Sequence, residues 1–79
     1  PDTKLVICAD KLHNAQCIVT DLRRPSVGNA VWTRFRASRA EVLWYYDAMV
    51  AALGHQWQHE LHDELAHVVA SMRAMAQPG

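Results

Sequence analysis

The stretch Leu5-Val6-Ile7-Cys8-Ala9-Asp10-Lys11-Leu12-His13-Asn14-Ala15-Gln16-Cys17-Ile18-Val19-Thr20-Asp21-Leu22 decides how the rest of the chain is read. Leu5, Cys8, Leu12, Ala15, Val19 and Leu22 recur at alternating steps of three and four, the spacing of one apolar stripe along a helix. At about 100° per residue, Asp10, Asn14, Cys17 and Asp21 fall together on nearly the opposite side, with Ile7 and Ile18 beside them. The helix is therefore apolar on more than one side and carries a narrow polar seam. If that seam is buried, Asp10 must be paired, protonated or bound to a metal, because an isolated buried carboxylate is too costly. The simpler alternative is that the seam faces water, where most carboxylates lie.

Working outward, this helix is predicted over about residues 3–23. Asp2 or Thr3 is available as its N-cap, and it stops before Pro25, which pushes the preceding residue out of helical geometry. Ser26-Val27-Gly28-Asn29 reads as a loop, with Gly and Asn suited to positive φ. A short helix over 30–36 follows, in which Trp32 and Phe35 plug one end of the core. Ser38-Arg39-Ala40-Glu41 has the form of a capping box and opens a helix over 39–53. Leu43, Tyr46, Val50 and Leu53 make one stripe of that helix, and Val42, Tyr45 and Met49 a second beside it. So wide an apolar face needs two partners, for example the first helix and another chain.

Gly54 closes the third predicted helix, and His55-Gln56-Trp57-Gln58 makes a tight turn. A last helix over 58–76 carries Leu61, Leu65, Val68, Met72 and Met75 at four- and three-residue steps, with Val69 widening the stripe. Pro78-Gly79 ends it. No strand pattern and no internal repeat occurs. The fold class is all-α, a small bundle of three long helices and one short one, built as one domain over 1–79 with short loops between antiparallel neighbours.

Composition bounds the function. At 79 residues the chain is in a size range where one core gives marginal stability, so help from a partner chain is expected. Half of its residues are hydrophobic, with eight basic and eight acidic side chains. That balance argues against nucleic-acid or membrane-surface binding, which draw on a basic excess. No apolar run is long enough to span a bilayer and no charged-then-apolar leader opens the chain, so a cytoplasmic location is the default expectation. Cys8 and Cys17 lie on one predicted helix, roughly 13 Å apart along its axis, beyond disulfide reach. They read as reduced, buried small residues.

The string Ala9-Asp10-Lys11-Leu12-His13-Asn14, followed by Asp21-Leu22-Arg23 and later by Trp32, Arg34-Phe35 and Leu43-Trp44-Tyr45-Tyr46, resembles the HD-domain phosphohydrolase superfamily. The nearest branch is the one that includes the guanosine tetraphosphate (alarmone) hydrolases. The likeness runs from about Lys4 to about Leu53. It implies that Asp10 corresponds to the last ligand of a divalent-metal site, Mn or Mg, and that Asn14 lines a nucleotide pocket, with Lys11 beside them. The family also brings a His and an adjacent His-Asp pair from helices before this motif. Here no His precedes Asp10, and His-Asp occurs only at His62-Asp63. The chain thus looks like the C-terminal half of an HD domain, partial and HD-like.

The expectation that follows is an oligomeric binding or assembly module, a homodimer most simply, without independent catalysis. The alternative is a metal-dependent phosphohydrolase acting on nucleotides, its missing ligands supplied by a chain that carries the other HD half. Three further chemistries have candidate residues. His55, His59, His62 and Asp63, with His67 beyond, would share helical faces at i to i+4 spacing and could hold a transition metal; the plainer reading is a solvated face opposite Leu61 and Leu65. Cys17 lies one turn from His13 and Asn14, but a helix interior offers no oxyanion hole, so it reads as a core residue. Trp44, Tyr45, Tyr46 and Trp57 could stack a base, yet aromatic stripes at helical spacing read first as core.

Overall fold

The computed structural model describes residues 3–76. They form α1 (Thr3–Arg23), a 3-10 helix (Gly28–Arg34), α2 (Arg39–Gly54) and α3 (Glu60–Ala76), with no strand among them. The all-α bundle read from the sequence is therefore observed. The N-cap candidate Asp2 and the terminating Pro78-Gly79 lie outside the described residues.

α2 and α3 are antiparallel. Arg39 at the start of α2 donates to the Ala76 carbonyl at the end of α3 (2.9 Å), Asp47 and Arg73 pair midway, and His62 near the start of α3 meets the Val50 carbonyl (2.8 Å). α1 instead runs parallel to α3. The Lys4 ammonium near its start reaches the His55 carbonyl (2.8 Å), while Val19 and Arg23 near its end line a cleft with Val68 and Ser71. The bundle is thus up-down-up, and α1 packs chiefly on α3. The expectation of antiparallel neighbours joined by short loops holds for α2 and α3 but not for α1, which is followed by the long crossover 24–38 and packs chiefly on α3.

The core is drawn from every element. Cys8, Leu12, Ala15, Ile18 and Val19 of α1 meet Val31 and Trp32 of the 3-10 helix, Val42, Leu43, Tyr46 and Leu53 of α2, and Leu65, Val69, Met72 and Ala76 of α3. Leu65, Met72, Val31 and Cys8 are fully enclosed. Burial holds the Cys8 thiol above its ordinary pKa and does the same to the Tyr46 hydroxyl, since desolvation disfavours the charged forms. Both side chains are therefore neutral core members.

Local signals decide where the helices start and stop. The Ser38 side chain accepts from the Glu41 amide (3.2 Å) and the Glu41 carboxylate accepts from the Ser38 amide (3.1 Å), a complete capping box. The short helix is a 3-10 helix over 28–34 rather than 30–36, and Gly28 supplies the positive φ of 51° that starts it. Asn29 is used differently: its side-chain oxygen accepts from the Trp32 indole (3.0 Å), which satisfies the one polar atom of a buried ring. Trp32 and Phe35 lie against each other with centroids 6.2 Å apart.

The last helix begins at Glu60, two residues later than the apolar spacing implied. His59 caps it, its ring Nδ1 accepting from the Leu61 amide (3.0 Å) and its carbonyl from His62 (3.0 Å). Trp57 stacks on the His59 ring at 5.4 Å and 10° and meets His62 edge-on at 6.2 Å.

Gly54 ends α2, but for a different reason from the one spacing suggests. The left-handed residue in the turn is Gln56 (φ 51°). A Cβ on Gly54 would sit 2.7 Å from His62 Nε2, so glycine there makes room for the ring that adds a hydrogen bond to the Val50 carbonyl. Gly54→Ala is expected to destabilise the chain. Displacing His62 loses its added bond to the Val50 carbonyl, about 0.5–1.5 kcal/mol, and its edge-on contact with Trp57, about 0.5–1.5 kcal/mol, together more than the roughly 0.5–1 kcal/mol that Ala gains over Gly in a helix. In a His62→Ala background the sign should reverse, with Gly54→Ala stabilising. Urea denaturation of the four members of this cycle checks it, and a destabilisation of the same size in both backgrounds would show that His62 is not the cause.

Candidate functional site

α1 turns Cys8, Leu12, Ala15, Ile18 and Val19 inward, so the residues half a turn away face solvent. Asp10, Asn14 and Cys17 of the seam are exposed, as is His13 beside them, while Asp21 is part-buried and paired with Arg34 and Arg24. The seam is therefore the simpler of its two readings, and α1 buries one side rather than several. Cys17, expected in the core, is an exposed free thiol with the His13 ring 4.0 Å away. Of the two isoleucines beside the seam, Ile18 is buried and Ile7 is exposed.

Asp10 has a partner next to it. Its carboxylate lies 3.6 Å from the Lys11 ammonium, and its side chain is 64% exposed. Lys11 in turn sits over the Tyr45 ring of α2, 5.7 Å from its centroid. The Tyr45 hydroxyl interaction raises the Lys11 pKa, with the Asp10 charge adding to it against the opposing effect of burial. Lys11 is thus the link between the outer faces of α1 and α2. Asp10→Asn is expected to shift stability by less than about 0.5 kcal/mol, since exposed ion pairs contribute little; thermal melts check this, and a marked loss would mean that Asp10 carries a load the geometry does not reveal.

Both helices joined by that link expose large apolar side chains. Val6 (67% exposed), Ile7 (37%), Trp44 (69%) and Tyr45 (41%) project from α1 and α2. Trp44 and Tyr45, read from helical spacing as core, are corrected here: the core-facing side of α2 is set by Val42, Leu43, Tyr46 and Leu53, which leaves Trp44 pointing away from α3 and Tyr45 on the flank. Tyr45 also meets Tyr46 edge-on at 5.6 Å.

The histidines of 55–67 do not share one helical face. His55 and His59 precede α3, so the i to i+4 register holds only from Glu60 onward. His59 Nδ1 is engaged at the helix cap and His62 Nε2 at the Val50 carbonyl, while Asp63 and His67 are exposed. Among the described residues no three His, Cys, Asp or Glu side chains come together as a metal site. The residues present do not fit a divalent ion by themselves: Asp10 stands without a second ligand, and the ammonium beside it occupies the position of its counter-charge. Asn14 lies one turn along on the same exposed side. Among the described residues no helix is long and apolar enough to cross a membrane.

No protein-family model, curated protein or solved structure matches the chain.

Proposed function

We propose that the chain is an HD-like assembly module that pairs with a second copy of itself through the outer face of α1 and α2 and does not catalyse a reaction alone. The observation that carries this reading is the exposure of Val6, Ile7, Trp44 and Tyr45 on the two helices that the Asp10–Lys11–Tyr45 contact joins. Large apolar side chains left exposed on neighbouring helices offer an interaction surface. Aromatic residues are the ones enriched in the energetic centre of such surfaces.

Two features favour a like partner. Adjacent Asp10 and Lys11 give the face both signs of charge, so a two-fold axis can set Asp10 of one copy against Lys11 of its partner, as an isologous interface requires. The formal net charge is zero, so no long-range repulsion opposes the approach of two copies. Hydrogen exchange over a dilution series tests the location. Protection of the amides in 4–11 and 43–47 is expected to rise with protein concentration while the rest of the bundle is unchanged; concentration-independent protection there would contradict the reading.

A second reading keeps one observation in its favour. Asp10 and Asn14 both point outward, open to residues of another chain, and the resemblance to HD phosphohydrolases gives such a chain the missing metal ligands. In that case the complex would release phosphate or pyrophosphate from guanine nucleotides in the presence of manganese, and Asp10→Ala would abolish the release. The absence of turnover by the chain alone distinguishes nothing between the readings; turnover that survives Asp10→Ala in the complex would end this one.

A further inference from the structure

A second surface lies on the other flank of α1. Gln16, Thr20 and Arg23 of α1 and His67 and Ser71 of α3 line an open cleft of about 390 Å3, floored by Val19 and Val68. The parallel packing of α1 on α3 creates it, because side chains one turn apart on each helix line up in two facing rows. The size is within the range of small-ligand sites.

The polar groups of this cleft share a property. Among the described residues, none of the five makes a side-chain hydrogen bond or ion pair with the rest of the chain. Three other arginines are bound to aspartates: Arg24 and Arg34 to Asp21, and Arg73 to Asp47. Among the described residues no carboxylate lines the cleft, and Arg23 is their one fixed charge in it. A guanidinium, an amide, two hydroxyls and an imidazole are all able to donate hydrogen bonds. Donors without a facing acceptor, around a positive charge, suit an oxyanion, and an Arg fork suits a phosphoryl group in particular.

We infer that the cleft between α1 and α3 binds a small phosphate monoester, its phosphoryl oxygens held by Arg23, Gln16, Thr20, His67 and Ser71 and its apolar part resting on Val19 and Val68. This site is separate from the Asp10 face and goes beyond the assembly reading. It requires neither a second copy nor a metal.

Phenyl phosphate, titrated at constant ionic strength into 15N-labelled protein, tests it. Saturable shifts are expected at the Gln16 side-chain amide, the Thr20 amide, the Arg23 Nε–H and the His67 ring. Arg23→Gln, an exposed position whose change leaves the fold intact by circular dichroism, is expected to weaken binding at least about tenfold, as loss of a charge-assisted bidentate contact does. Arg36→Gln, an exposed arginine outside the cleft, should leave it unchanged. Benzoate tests the anion class and should bind more weakly than phenyl phosphate. No saturable shift, equal binding of benzoate, or equal weakening by Arg36→Gln would each overturn the assignment.

Discussion

Leu65→Ala is expected to leave the chain largely unfolded at room temperature. Leu65 is fully enclosed at the centre of α3, the helix that packs on both α1 and α2. Truncating a buried Leu removes both its transfer free energy and its packing, about 2–5 kcal/mol together. A core of this size rarely supplies more than about 3–5 kcal/mol of net stability, so one such change is comparable to the whole. Met72→Leu, at an equally enclosed site one face-repeat along, keeps volume and should lose less than about 1.5 kcal/mol. Far-UV circular dichroism against urea separates them. An unchanged midpoint for Leu65→Ala would mean that α3 is not the central helix.

The second large effect is on association. Trp44→Glu combined with Tyr45→Lys is expected to abolish pairing while leaving the helical signal of the chain in place. Neither side chain is among the buried core residues, the change at Tyr45 gives up only its contacts with Lys11 and Tyr46, and α2 tolerates Glu and Lys well. Buried aromatic anchors at an interface each contribute about 2 kcal/mol or more, and burying the new charges without partners adds a further penalty. Dimer affinity should fall by well over a hundredfold. Because pairing stabilises the folded form by mass action, the variant should also melt lower at high protein concentration and equally at low concentration. A variant that still pairs would place the interface elsewhere on the surface.

Much of this fold was legible because several signals agreed. Three- and four-residue apolar steps, Ser38-Arg39-Ala40-Glu41 and Pro25 pointed to the same helix limits, and α1 and α2 follow them closely. The misjudged positions are those where spacing cannot count neighbours. Trp44, Tyr45 and Cys17 sit on helices with enough apolar residues for two buried sides, but the bundle offers only one side of cover to each, so these three face outward. Apolar spacing puts the start of α3 two residues early because it does not register an imidazole acting as an N-cap, which His59 does. Gly54 was legible as a helix end, yet its cause, the His62 ring, is contributed by the following helix.

The candidate sites divide along the same line. Asp10, Lys11 and Asn14 are local in sequence, and their shared exposure follows from helical geometry alone once the buried side is known. The Lys11–Tyr45 contact and the Arg23, His67 and Ser71 cleft each join two helices. α1 is followed by the long crossover 24–38 and packs chiefly on α3, and no spacing within a single helix announces that.

Sedimentation equilibrium of the purified chain over a wide concentration range tests the assembly reading most directly. The expected result is a species of twice the 8.9 kDa chain mass, reverting to 8.9 kDa in the Trp44→Glu, Tyr45→Lys variant. A wild-type chain that stays at 8.9 kDa at every concentration would contradict it.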